Sequence, residues 1–114
     1  MEQLINNTYK LKNPDKNKLQ SLGFRYSVKY STSDCAIYYY RFPVHKYKTY
    51  TTLECEIYIN TSNGDVEINV YDENNNIYPP FYNIECGNYE PLMESVNHKI
   101  VSELKRIGIS KVKS

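Results

Sequence analysis

The sequence contains no tryptophan, only four glycines, two histidines and three cysteines. Each scarcity removes a class of chemistry. So few glycines leave no Gly-rich run to cradle a phosphate, and neither a Walker loop nor a dinucleotide fingerprint occurs. Cys35, Cys55 and Cys86 are odd in number, widely spaced and contain no Cys-x-x-Cys pair. That argues against a disulfide framework and a zinc site, and leaves buried free thiols as the expectation. The histidines, His45 and His98, belong to no recognisable nucleophile–base set, and a Cys86–His98 pair has no local signature behind it. No apolar run is long enough for a signal peptide or a bilayer span. The expectation is therefore a cytoplasmic protein with no membrane partner, no catalytic residues, no metal and no cofactor.

Tyrosine is abundant instead, with 13 in 114 residues alongside three phenylalanines. A chain of this length is expected to form one domain over residues 1–114, with one core and a radius of gyration of about 13 Å. The net charge of +1 hides a strong asymmetry. Residues 1–52 carry nine Lys/Arg against three Asp/Glu, and residues 53–114 carry five against ten. Such segregation between halves points toward a nucleic-acid or acidic partner, unless the halves neutralise each other on folding.

The hydrophobic pattern begins with a short alternating segment at Tyr9 and Leu11. A short helix follows, with Asn13 as cap and Pro14 at the first helical position, where a missing N–H costs nothing. Gly23 supplies a left-handed stop and Phe24 folds back onto the last turn. Phe24, Tyr26, Val28 and Tyr30 then alternate with Arg25, Ser27 and Lys29, which reads as a strand. Residues 35–42 have strong β propensity without a clean period, so their inward face stays open, and Pro43 interrupts or ends them. The polar stretch from His45 to Tyr50 reads as a loop or a protruding hairpin tip.

The clearest signal is a hairpin with Asn63-Gly64 in its turn. Leu53, Cys55, Ile57 and Ile59 point one way, opposite Glu54, Glu56 and Tyr58. Val66, Ile68 and Val70 continue the apolar face on the return strand, opposite Glu67, Asn69 and Tyr71. A one-residue slip would bury the carboxylates, so this register is firm. Pro79 and Pro80 restrict residues 77–82 to an edge strand or an extended cover. Last comes a helix over residues 89–107, capped by Asn88, with Glu90 and Glu94 near its positive end. Leu92, Met93, Val96, Ile100, Leu104 and Ile107 form its apolar stripe. Glu103 falls within the stripe and calls for Lys99 or Arg106 as a partner. Gly108 and Ile109 repeat the Gly-apolar stop. The fold class is α+β: an antiparallel sheet of four to five strands, with a short N-terminal helix and a long C-terminal helix packed on one face.

Two features have the chemistry of a binding surface. Glu54, Glu56 and Glu67 share one hairpin face; with no pocket expected there, they are assigned cross-strand pairing with Arg25 or Lys29 rather than an acid–base role. The second feature is the basic, tyrosine-rich N-terminal half. Lys10, Lys12, Lys16, Lys18, Arg25 and Lys29 surround the first helix, and Arg41, His45, Lys46 and Lys48 flank Pro43, interleaved with Tyr40 and Tyr47. Ammonium groups attract phosphate without regard to sequence, guanidinium groups read base edges or stack, and exposed tyrosines stack on single-stranded bases. These twelve residues are the candidate contact set of a small non-enzymatic nucleic-acid-binding accessory protein, with DNA the expected ligand. The alternative is a protein–protein interaction module, such as a small inhibitor or accessory protein of a bacterial mobile element, since Tyr, Phe and Arg also suit protein interfaces. A homodimer through an edge strand is compatible with both.

Overall fold

The computed structural model describes Leu4, residues 7–82 and residues 91–112. The elements run β1 (Tyr9–Leu11), α1 (Lys16–Ser21), β2 (Arg25–Tyr26), β3 (Ile37–Tyr47), β4 (Tyr50–Asn60), β5 (Asp65–Asp72), α2 (Pro79–Tyr82), α3 (Pro91–Ile107) and β6 (Ile109–Lys111). The strands form one antiparallel sheet in the order β2-β3-β4-β5-β1-β6. Alternating antiparallel pairing makes β1 and β2 run in the same direction. Their connection must therefore cross the sheet, and α1 is the crossing element. The architecture is the expected α+β class with six strands among the described residues rather than four or five. The additional strand is β6, which follows Gly108 and pairs with β1 through Lys10↔Ser110 and Leu11↔Ile109.

The two-residue period of β4 and β5 fixes the layers. Leu53, Cys55, Ile57 and Ile59 are buried beneath α3, with Ile68 and Val70 beside them. The pairings Tyr38↔Ile59, Tyr40↔Ile57 and Phe42↔Cys55 put the even-numbered residues of β3 on this same helix-covered face. From α3, Val96, Ile100, Leu104 and Ile107 complete the core. Each fully buried Ile here contributes roughly 1.5–3 kcal/mol. Among the cysteines, Cys55 lies in this core, where burial pushes its thiol well above its ordinary pKa, and Cys35 is half-buried. Cys86, the Asn88 cap and Glu90 lie outside the described residues.

Several local expectations are corrected. The cap of α1 is Asp15, whose carboxylate accepts from the Asn17 N–H at 3.2 Å; Asn13 instead takes a left-handed turn with φ 55°. The strand expected at 24–30 ends after Tyr26. Buried Ser27 accepts the Tyr30 N–H on its hydroxyl at 3.1 Å and the Ser31 N–H on its carbonyl, which folds residues 28–30 into a turn. Pro43 neither breaks nor ends its strand, because β2 reaches only Tyr38 and Tyr39. Beyond that point the outer edge of β3 needs no N–H from residue 43. Residues 77–82 make one bridge, Tyr71↔Ile77, and then a helical turn that starts on the two prolines. Both Gly stops form as expected: Gly23 has φ 104° with the Phe24 N–H on the Leu19 carbonyl, and Gly108 has φ 96°.

Gly64 joins the β4–β5 loop to β1. Its φ is 82°, and its carbonyl accepts the Leu11 N–H at 2.9 Å. A Cβ there would stand 2.3 Å from the Leu11 carbonyl oxygen, whereas one at Gly108 would meet nothing closer than 4.0 Å. Both positions carry the left-handed penalty, but only Gly64 adds a backbone clash. Gly64→Ala is expected to lower unfolding free energy by about 3 kcal/mol and Gly108→Ala by about 1 kcal/mol in urea titrations. Equal losses would contradict the assigned packing of β1.

Candidate nucleic-acid interface

The structure divides the twelve candidate residues into three groups. The first is half-buried and engaged by partners within the chain. Tyr40 lies on the helix-covered face, donates its hydroxyl to Glu103 Oε1 at 3.0 Å, stacks on Phe42 and meets a tilted Phe24 ring. Arg106 completes this cluster, with Nε 2.6 Å from Glu103 Oε2 and its guanidinium over the Tyr40 ring. Arg106 is thus the partner that Glu103 required. Arg41, on the opposite face, is held by four groups. Its Nη1 lies 3.0 Å from Glu56 Oε2, its Nε 3.3 Å from Glu54 Oε2, and its Nη2 donates to Asn75 Oδ1 at 2.9 Å; the guanidinium sits over Tyr71. The expected cross-strand partners of the glutamates were Arg25 or Lys29. The register instead sets Arg41 directly opposite Glu56, and neither Arg25 nor Lys29 makes an ion pair among the described residues.

Glu56 explains why that network exists. Its residue is only 9% exposed although, among the described residues, no helix covers this face. One carboxylate oxygen takes Arg41 and the other accepts the Tyr58 hydroxyl. Burial opposes the charge on Arg41, and the Glu54 and Glu56 carboxylates more than offset it, so the guanidinium holds its proton more tightly than usual. Burial, followed by hydrogen bonding to Glu56 and Tyr71, raises the Tyr58 phenol well above its ordinary range.

The second group collects at the end of the sheet where β4 turns into β5. Lys10 is opposite Asp65 and bridges to it at 3.3 Å. Lys12 is exposed just beyond β1, and Lys16 and Lys18 are exposed on α1. Arg25 is exposed opposite Tyr39, and Lys29 is exposed with its ammonium 5.1 Å from the Tyr30 ring centre.

The third group occupies the other end. β3 and β4 continue past Leu53↔Asp72, the last pairing with β5, and close on a turn at Lys48 and Thr49, where Lys48 has φ 56°. The stretch from His45 to Tyr50 is therefore the protruding tip of a hairpin. Register shifts between Pro43 and His45 and between His45 and Lys46 bend this arm. Tyr47 and Tyr50 face each other across the turn, 62% and 70% exposed, beside the exposed Lys46 and Lys48. His45 is half-buried at the base. Tyr50 was not among the twelve; its exposure follows from the hairpin register, which the polar composition of the stretch did not define. From the level of Tyr39 to Lys46 the distance along β3 is about 23 Å, so the second and third groups are separate surfaces.

Among the described residues, no cluster of His, Cys, Asp and Glu is arranged to hold a metal, and no helix is long and apolar enough to cross a membrane. No family model matches the chain, and no curated protein matches it. Among solved structures, a DUF1831 family protein from Lactobacillus plantarum aligns with a TM-score of 0.58 at 12% identity, covering 91% of this chain and 86% of that one. At this identity the likeness is one of fold.

Two outcomes follow from the buried polar groups. An exposed ion pair contributes up to about 1 kcal/mol, and breaking a fully buried one costs 3–5 kcal/mol. Arg41 and Glu56 lie between these limits, with side chains 29% and 12% exposed, so Arg41→Ala should cost about 2 kcal/mol in urea titrations. Arg41→Lys should recover little, because one ammonium cannot engage Glu54, Glu56 and Asn75 together. A loss below about 0.5 kcal/mol for Arg41→Ala would contradict the network.

The second outcome concerns pH. Tyr82 accepts the Val70 N–H at 3.0 Å and donates to Asn69 at 2.9 Å, and burial pushes its phenol up to about 12. Tyr40 and Tyr58 are raised as well, burial again being the leading cause. Unfolded tyrosine titrates near pH 10, so above that pH the unfolded state releases protons that the folded state keeps. The stabilisation is complete below about pH 10 and is lost as the pH rises through the folded values. Urea midpoints should fall steeply between pH 9.5 and 11.5, and less steeply in Tyr82→Phe. A parallel decline in both proteins would contradict the assigned environment of Tyr82.

Proposed function

We propose that the domain is a non-enzymatic nucleic-acid-binding accessory protein that engages single-stranded DNA through the β3–β4 hairpin tip. The observation that carries this reading is the pairing of two largely exposed rings, Tyr47 and Tyr50, with the ammonium groups of Lys46 and Lys48 on an arm projecting beyond β5. Exposed rings offer stacking to any base, and adjacent lysines neutralise the phosphates between stacked bases. Of the expected contact set, Tyr40 and Arg41 are assigned structural roles, and Lys10 is engaged by Asp65. Lys12, Lys16, Lys18, Arg25 and Lys29 are exposed toward the other end of the sheet, where a longer strand would meet them.

Fluorescence anisotropy with a labelled oligothymidylate tests the proposal. Tyr47→Ala and Tyr50→Ala should each weaken binding by roughly five- to 150-fold, the range of about 1–3 kcal/mol per stacked base. If the two tip lysines alone neutralise phosphates, affinity should fall about sevenfold between 50 and 200 mM salt, and more steeply if the second surface joins. Absence of binding at 50 mM salt, or unchanged binding in both variants, would refute the proposal.

A separate observation favours the protein-interaction reading. Tyr26, Val28 and Tyr30 leave apolar surface exposed around β2 and its turn, 48%, 85% and 50% accessible, with Tyr26 against Tyr38 on the α3 face and Tyr30 against Tyr58 on the other. On that reading a host protein should co-purify after nuclease treatment and be lost from Val28→Glu.

A further inference from the structure

The turn that presents Tyr30 has a consequence on the face of the sheet away from α3. The Ser27 N–H donates to the Ile37 carbonyl at 2.8 Å, and Ser31 Oγ accepts the Ile37 N–H at 2.8 Å, so the turn is tied to the start of β3 at both ends. Tyr30 thereby arches back over the sheet and meets the Tyr58 ring edge-on, with centroids 5.3 Å apart. The two rings line a solvent-open cavity of about 230 Å³ together with Ile37, Asn60, Glu67 and Asp65, the last paired with Lys10. Tyr58 and Glu67 are directly opposed in the β4–β5 register, so a carboxylate stands across from an aromatic wall.

We propose that this cavity binds a methylated ammonium group carried by a free small molecule of the choline class. Three observations select that chemistry. Both rings line one small space, and a cation is attracted to an aromatic face within about 6 Å. Tyr58 donates its hydroxyl to the Glu56 carboxylate, which enriches the electron density of its ring. Glu67 supplies formal negative charge at the wall and makes no ion pair among the described residues. The Tyr30 ring already attracts one ammonium, that of Lys29. A primary ammonium would surrender strong hydration on entering beside Ile37. A methylated one spreads its charge over methyl groups that pack on apolar walls. The volume is below the 300–1,000 Å³ typical of drug-sized ligands, which restricts the occupant to a headgroup-sized cation.

The test is an NMR titration of the full chain with choline and with 3,3-dimethylbutan-1-ol, its neutral isostere. Choline should cause saturable amide shifts at residues 30, 58 and 67 with a dissociation constant of about a millimolar. The isostere should bind at least tenfold more weakly. Tyr30→Leu and Glu67→Gln should each weaken choline tenfold or more while leaving the remaining amide spectrum in place. Phosphatidylcholine vesicles should not co-sediment with the protein, because the proposed ligand is the free cation and not a headgroup held in a bilayer plane. Equal binding of choline and its isostere, no saturable shift, or vesicle binding without binding of free choline would each overturn the proposal.

Discussion

The carboxylate of Glu56 is the constraint on which one side of this molecule depends. It sits in the middle of a sheet face that no helix covers among the described residues, and it is nonetheless buried. An ionised carboxylate in that position needs partners for both oxygens. Arg41 from β3 and Tyr58 from its own strand supply them, and Glu54, Asn75 and Tyr71 hold the guanidinium in place. The network ties β3, β4, β5 and the loop after β5 together. It also fixes the side of Tyr58 that faces Tyr30.

Satisfying Glu56 consumes the most versatile cation of the basic half of the chain. Tyr40 is consumed in the same way on the other face, where Glu103 and Arg106 fasten α3 to β3. The remaining cations go to the two ends of the long hairpin, one set around α1 and β2 and the other at the tip. The charge asymmetry of the sequence is therefore partly neutralised within the fold and partly displayed. The displayed part at the tip comes with two solvent-facing rings, and that combination separates it from an ordinary solvated surface.

The repetitive parts of the fold were legible in the sequence. The β4–β5 hairpin announced itself through alternation on both strands, the stripe of α3 through its 3.6-residue period, and both helix stops through glycine. The features that were not legible depend on single side chains acting through tertiary contacts. Ser27 halts β2 by bonding to Tyr30, which no alternation pattern reveals. Pro43 stays within β3 because its neighbour is too short to need the missing N–H. β6 has three residues, one of them buried, and exists by pairing with β1. In the candidate interface, the residue types were readable while their availability was not. Whether Arg41 or Arg25 faced the glutamates depended on the register of residues 35–42, where every position favours a strand and none marks an inward face.

The central claim is that the hairpin tip, and not the guanidinium or tyrosine chemistry in the body of the sheet, meets the nucleic acid. An amide-shift map with an oligothymidylate tests this directly. The account predicts perturbations concentrated at residues 46–50, with Tyr40, Arg41 and Glu56 unmoved. A map centred on Arg41 and the sheet face around it, with a silent tip, would contradict it.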